Sequence, residues 1–152
     1  MSGTERRGFA LTVTDAPGAE AEAMIEGGLH DFNRLKAGYV DSRPLAVLVR
    51  DTATSKVVGG VLGKTTLGLL FIDLVFLPDA TRGKGVGGAM MRLAEEEARR
   101  RGCSAAVLFT IWFQAPEFYA RLGYQEVGRI ACDPPGHTRI CMQKRLVAEA
   151  TP

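Results

Sequence analysis

The sequence predicts an α/β fold with a mixed, mostly antiparallel central sheet, formed by a single domain over residues 1–152. Three observations carry this. An apolar run at residues 69–77 (LLFIDLVFL) leads through a short glycine-rich loop into a long amphipathic helix. A second apolar run, residues 104–111 (SAAVLFTI), follows that helix. The two runs, the fourth and fifth strands in the count, then form a strand–helix–strand unit whose strands run parallel with a right-handed crossover. The remaining strand-like runs are joined by short polar turns, which make antiparallel neighbours. Strands and helices therefore do not alternate throughout, and a doubly wound parallel sheet is excluded.

Taken in order, residues 9–14 (FALTVT) alternate as a first strand, and Asp15-Ala-Pro-Gly breaks it. Residues 19–36 carry Met24, Ile25, Leu29, Phe32 and Leu35 at helical spacing. Gly27-Gly28 in the middle predicts two shorter helices with a kink or break between them. Ser42-Arg43-Pro44 reads as a turn, residues 45–50 as a strand and residues 51–56 as a hairpin connection. Residues 57–66 form the next strand, with Gly59-Gly60 as a bulge or a point of close approach. Gly68 turns into the run at 69–77, which reads as a strand buried on both faces and ended by Pro78. Asp73 alone interrupts its apolar character, and a buried carboxylate needs a partner or a function.

The helix after the loop shows an apolar stripe of Val86, Met90, Leu93, Ala94 and Ala98. Glu95–Arg99, Glu96–Arg100 and Glu97–Arg101 stand as acid-before-base pairs at four-residue spacing, and Gly102 suits the position just past the helix end. After the strand at 104–111, Gln114-Ala-Pro-Glu117 starts a short helix over residues 118–122, closed by Gly123. Residues 124–131 and 137–146 are two strands joined by Asp133-Pro-Pro-Gly136, and residues 147–152 form a frayed tail.

Length and composition suit one globular domain with a sizeable core, since 46% of residues are hydrophobic and 24% charged. A net charge of +2 is too small to indicate nucleic acid, and the helix cations lie beside acids. No apolar run approaches the roughly 20 residues of a membrane span, and the N-terminal stretch lacks the apolar core of a signal peptide. Those features place the protein in the cytoplasm. Cys103, Cys132 and Cys141 have no metal-ligand spacing, so free thiols and no metal are expected.

The chemistry points to the loop Thr81-Arg82-Gly83-Lys84-Gly85-Val86-Gly87-Gly88. Four glycines and two cations leave backbone N–H groups uncovered at a helix start, where the helix dipole favours an anion, most often a phosphate. Gly83, Gly85 and Gly88 match the dinucleotide spacing GxGxxG. The acid that motif needs at the end of the next strand is missing, because Phe109, Thr110 and Ile111 stand there. Gly63-Lys64-Thr65 has the end of a P-loop but precedes a strand and is one residue short of the earlier glycine, Gly59. His30 and His137 are the two histidines, and neither sits in a Ser-His-Asp or Cys-His context.

Residues 74–87 (LVFLPDATRGKGVG) resemble the acetyl-CoA loop of the GNAT superfamily of N-acetyltransferases, Arg/Gln-x-x-Gly-x-Gly/Ala after a central strand. Phe118-Tyr-Ala-Arg-Leu-Gly-Tyr124 resembles that superfamily's second signature, and the order of elements matches over nearly the whole chain. The resemblance implies a GNAT-like three-layer sandwich in which the fourth and fifth strands splay apart around acetyl-CoA as cosubstrate. It implies that backbone groups of Val75, Phe76 and Leu77 meet the pantetheine arm. Arg82 and the N–H groups of Gly83, Lys84, Gly85, Val86, Gly87 and Gly88 would hold the diphosphate. Gln114 would touch the pantetheine, and Tyr119 would face the sulfur.

The implied activity is transfer of an acetyl group to a primary amine by direct attack in a ternary complex. Tyr119 is then the general acid for the departing thiolate. Asp73 is the candidate base, with Glu117, Asp31, His137 and a water relay as further candidates. The acceptor is a small-molecule or peptide amine, and neither nucleic acid nor a membrane is a partner. Specificity would come from residues 26–39 and 132–141, and Trp112 and Phe113 either line the acceptor side or seal the core. A homodimer is expected by analogy. The competing reading is a non-catalytic acyl-CoA-binding or regulatory module.

Overall fold

The computed structural model describes residues 3–111 and 114–147. The expectations for Trp112, Phe113 and the end of the tail lie outside those residues. The chain divides into two compact units, Met1–Val40 and Asp41–Pro152.

The first unit holds a hairpin of β1 (Gly3–Arg6) and β2 (Phe9–Thr12) and the helix α1 (Ala19–Ala37). The sequence reading found β2 and missed β1. Arg7 and Gly8, both at positive φ (50° and 88°), close a two-residue hairpin turn that pairs Arg6 with Phe9. β1 reads GTER, with no apolar alternation to mark it. α1 corrects the expected break at Gly27-Gly28: it is one continuous helix, stopped by Gly38 at φ 85°, whose N–H donates to Arg34 O at 2.9 Å. Two interior glycines each cost a helix about 0.5–1 kcal/mol without interrupting it.

The second unit is built on a six-stranded mixed sheet in the order β3-β4-β5-β6-β8-β7. Its strands are β3 (Arg43–Arg50), β4 (Val57–Thr66), β5 (Leu69–Phe76), β6 (Ala105–Ile111), β7 (Gln125–Cys132) and β8 (His137–Arg145). Pro44 belongs to β3 rather than to the expected turn, which an edge strand allows. β3, β4 and β5 are antiparallel, β5 and β6 are parallel, and β8 lies antiparallel between β6 and β7. Because β1 is an additional strand, the parallel pair is the fifth and sixth strands, not the fourth and fifth. A turn of 3-10 helix at Asp79–Thr81 leads into α2 (Val86–Arg100), and α3 (Pro116–Arg121) joins β6 to β7.

The core lies on one face of the sheet, under α2. Leu45, Val61, Leu70, Ile72, Ala106, Leu108, Ile140 and Met142 of the strands meet Met90, Met91, Ala94 and Ala98 of the helix. Leu93, expected in that stripe, is exposed, and Met91 takes the inward place. Glu95, expected to pair with Arg99 along the helix, is also inward and buried. α2 and α3 end alike. Gly102 N–H donates to Arg99 O and Cys103 N–H to Ala98 O, while Gly123 N–H donates to Ala120 O and Tyr124 N–H to Tyr119 O. Both are Schellman ends with glycine in the left-handed region. Burial pushes the Cys103 thiol upward, so this cysteine packs as an unreactive apolar side chain.

Candidate active site

β5 changes character halfway along. Leu62 of β4 pairs with Leu74, but its neighbour Gly63 pairs with Ile72, so Asp73 is an extra residue in the ladder. That β-bulge resets the alternation: Leu70 and Ile72 face the core before it, and Val75 and Leu77 pack against the core after it. Gly63 opposite the bulge must lack a side chain, because a Cβ there would run into the Phe71 carbonyl oxygen.

The bulge also ends the parallel ladder. β5 and β6 pair from Leu69 with Ala105 to Ile72 with Leu108, and no further. Both strands continue, held on their outer edges by β4 and β8. Their inner edges part, and the gap is a cleft of about 770 Å³. The expectation of a strand buried on both faces is corrected: in the first half of β5 Leu70 and Ile72 are buried while Leu69 and Phe71 are only half-buried. Asp73, Leu74 and Phe76 are exposed, and Asp73 is therefore not the buried carboxylate that the sequence suggested.

The glycine loop and the start of α2 form one wall of this cleft. Gly85 caps the helix at φ 70°, and no side chain caps it. Ala89 N–H donates to Gly85 O at 3.1 Å, so the N–H groups of Val86, Gly87 and Gly88 precede the first helical hydrogen bond. Gly87 sits against the Phe118 ring, where a Cβ would come within 2.9 Å of Cε2, so α2 and α3 meet tightly at the cleft wall.

Most of the residues singled out from sequence line the cleft: Asp73, Val75, Phe76, Leu77, Arg82, Gly83, Gly85, Val86, Gly87, Gly88, Gln114 and Tyr119. Lys84 is not in the lining. Gln114 is partly committed, since its Oε1 accepts the Ile111 N–H at 3.1 Å and its own N–H donates to Ile111 O at 2.8 Å. Arg82 Nε lies 3.0 Å from Asp79 Oδ1, and both side chains are well exposed. The other acids and the histidine considered lie outside the lining. Asp31 pairs with Arg34 within α1, and His137 stands opposite Cys132 at the end of the last hairpin.

Tyr119 is buried, with its ring edge-on to Phe118 at 5.1 Å and to Tyr124 at 5.9 Å between centroids. Burial pushes its phenol above the ordinary value, which keeps the proton on oxygen at neutral pH. Among the described residues lining the cleft, Asp73 is the one carboxylate, and Arg82 and Arg121 are the cations. Sequence reasoning missed Arg121, two residues past Tyr119 in the same short helix. The cleft thus has an anion-attracting wall at the α2 N-terminus, an acid at the bulge and a protonated phenol between aromatic neighbours.

The model of the acetyltransferase (GNAT) family matches residues 15–124. An acetyltransferase of Agrobacterium fabrum is 35% identical over 136 residues, covering 90% of this chain and 98% of that protein. The blasticidin-S acetyltransferase of Streptomyces morookaense is 34% identical over 110 residues, 70% of this chain and 81% of that protein. A crystal structure from Agrobacterium tumefaciens, described as an acetyltransferase, superposes with a TM-score of 0.79 at 34% identity, covering 89% of this chain and 98% of that one. The protein is an acyltransferase enzyme. The chain belongs to the acetyltransferase (GNAT) family.

Proposed function

We propose that the protein is an N-acetyltransferase that carries an acetyl group from acetyl-CoA to a primary amine while both substrates are bound. The observation that carries this reading is the parting of β5 and β6 after Ile72 and Leu108, directly beside the uncapped start of α2. One wall of the cleft offers N–H groups and Arg82 to a diphosphate. The inner edge of Val75, Phe76 and Leu77 offers peptide groups to the amide-bearing pantetheine arm. Arg121, also in the cleft lining, is a second cation for the same anionic ligand. In this reading residues 1–152 work as one domain, supported by a family match that spans both compact units.

The amine nitrogen attacks the thioester carbonyl, the C–N bond forms, and collapse of the tetrahedral intermediate breaks the C–S bond. The amine must first lose a proton, and Asp73, the one carboxylate among the described residues of the lining, takes it directly or through water. The leaving sulfur takes the phenolic proton of Tyr119, and the phenolate is restored by the proton the amine gave up. The Tyr119 hydroxyl carries its proton at neutral pH, as an ordinary phenol does, and is available when the thiolate departs.

The acceptor is a small-molecule amine in this reading, with blasticidin S, the substrate in its relative's name, as one compound to try. Its three free cysteines suit the reducing cytoplasm. The test is a thiol-release assay with acetyl-CoA and a panel of amines. Acetyl-dependent thiol release with at least one amine is expected. CoA binding by calorimetry with no release across the panel would make it an acyl-CoA-binding module instead.

A further inference from the structure

Glu95 sits on the core-facing side of α2 with its side chain 3% exposed, yet it lines no part of the cleft. Nothing in the proposed reaction uses it. Its two carboxylate oxygens are both engaged. Oε1 accepts the Tyr124 hydroxyl at 3.1 Å, and Oε2 accepts Lys144 Nζ of β8 at 2.8 Å. Arg99, one turn along α2, stands 3.9 Å from Oε2 and spends its Nε on the Leu146 carbonyl at 2.7 Å. A buried charge of this kind adds little net stability over an apolar replacement, because desolvation offsets the attraction. What it does supply is a fixed direction.

That direction leads to the cleft. Tyr124 is held by its hydroxyl to Glu95 at one end, and Lys144 Nζ lies 5.8 Å from its ring centroid. Its ring edge meets the ring of Tyr119. The Schellman end of α3 ties the same two residues through the backbone, with Tyr124 N–H on Tyr119 O at 3.0 Å. The Tyr119 ring therefore has Phe118 on one side and a tyrosine anchored to a buried carboxylate on the other.

We infer that Glu95, acting through Tyr124 and steadied by Lys144, is a positioning residue that holds the Tyr119 phenol at the angle the proton transfer needs. This rests on the assignment of Tyr119 as the general acid. Neither Glu95 nor Tyr124 touches substrate in this arrangement. Misplacement of a reacting group by around an ångström costs up to about 100-fold in rate, so loosening one of its two ring neighbours should cost roughly five- to thirtyfold.

The test is a double-mutant cycle in full-length protein with the amine that scores best in the thiol-release assay. Tyr124→Phe keeps the ring and removes the anchoring hydroxyl. Glu95→Gln keeps an acceptor for Tyr124 and removes the charge that Lys144 answers. The expected result is a five- to thirtyfold drop in kcat for Tyr124→Phe, with KM for acetyl-CoA within about twofold, and a smaller drop for Glu95→Gln. Combined with Tyr119→Phe, Tyr124→Phe should add almost nothing, because the group it positions is gone. A merely structural role would cut kcat by the same factor in both backgrounds, and that overturns the inference. If Tyr119→Phe alone leaves turnover unchanged, the general-acid assignment falls and takes this inference with it. If only Tyr119→Phe has an effect, this inference alone falls.

Discussion

The two halves of β5 are made of similar residues and do opposite things. Leu69–Ile72 pair with strands on both sides, and Leu70 is fully buried under α2. Leu74 and Phe76 are each 65% exposed, on the half that pairs with β4 alone. The hydrophobicity of the two halves hardly differs. What separates them is one extra residue, Asp73, which kinks the strand away from β6 while keeping Val75 and Leu77 turned to the core. In the first half Leu70 and Ile72 are buried in the core; in the second Leu74 and Phe76 stand exposed in the cleft.

The largest expected effect tests that division directly. Leu70→Ala should destabilise the protein by about 2–5 kcal/mol, as loss of a fully packed leucine does. Leu74→Ala should cost under about 1 kcal/mol, because most of that side chain already meets solvent. Urea unfolding of the two variants measures both, and equal losses would erase the contrast. Second in size is deletion of Asp73. It restores plain alternation with Val75 and Leu77 still facing inward, so the protein should unfold cooperatively near the native midpoint. Turnover should fall at least about 100-fold, some 2.7 kcal/mol, because the cleft loses its acid and the strands can re-pair. A folded deletion variant with ordinary turnover would show that neither the bulge nor Asp73 matters to catalysis.

The features that sequence revealed are those written locally. Pro116 at the first turn of α3, Gly102 and Gly123 at the two helix ends, and the Arg82–Gly88 loop each carry their signal within a few residues. The bulge at Asp73 does not, because a bulge exists only relative to the register of β4, and residue 73 read alone looks like a buried acid. Glu95 was hidden differently. It has Arg99 four residues on, which imitates a surface pair, whereas its partners Tyr124 and Lys144 lie 29 and 49 residues away. Arg100 likewise pairs at 2.8 Å with Glu97, not with Glu96. The strand β1 escaped because its pairing is set by the Arg7–Gly8 turn and not by apolar residues.

The next effect is smaller and sharpens the boundary between the cleft walls. Arg82→Ala should raise KM for acetyl-CoA about three- to tenfold and leave kcat nearly unchanged, since the backbone N–H groups of α2 remain. Added salt should weaken donor binding to the native protein more than to the variant, because an exposed cation is screened within about 10 Å at 0.1 M. Steady-state kinetics at two salt concentrations measures both, and an unchanged KM would leave Arg82 to its pairing with Asp79.

The smallest effect concerns pH and divides the aromatic wall from the rest of the cleft. Burial raises the phenols of Tyr119 and Tyr124 above their ordinary value of 10.0, and for Tyr124 the Glu95 carboxylate and its hydrogen bond push the same way. A group whose proton is held more tightly in the folded state stabilises it fully below the unfolded pKa, and loses that contribution as pH rises through the folded value. The two tyrosines should therefore leave stability flat from pH 7 to about 9 and erode it above about 10, where the unfolded chain ionises its phenols and the folded chain does not. Tyr124→Phe removes the more strongly shifted group, so its urea midpoint should fall less steeply than the native one between pH 10 and 11. A parallel fall in both proteins would mean that Tyr124 ionises as freely in the folded state as in the unfolded chain, and that the Glu95 carboxylate does not bear on it.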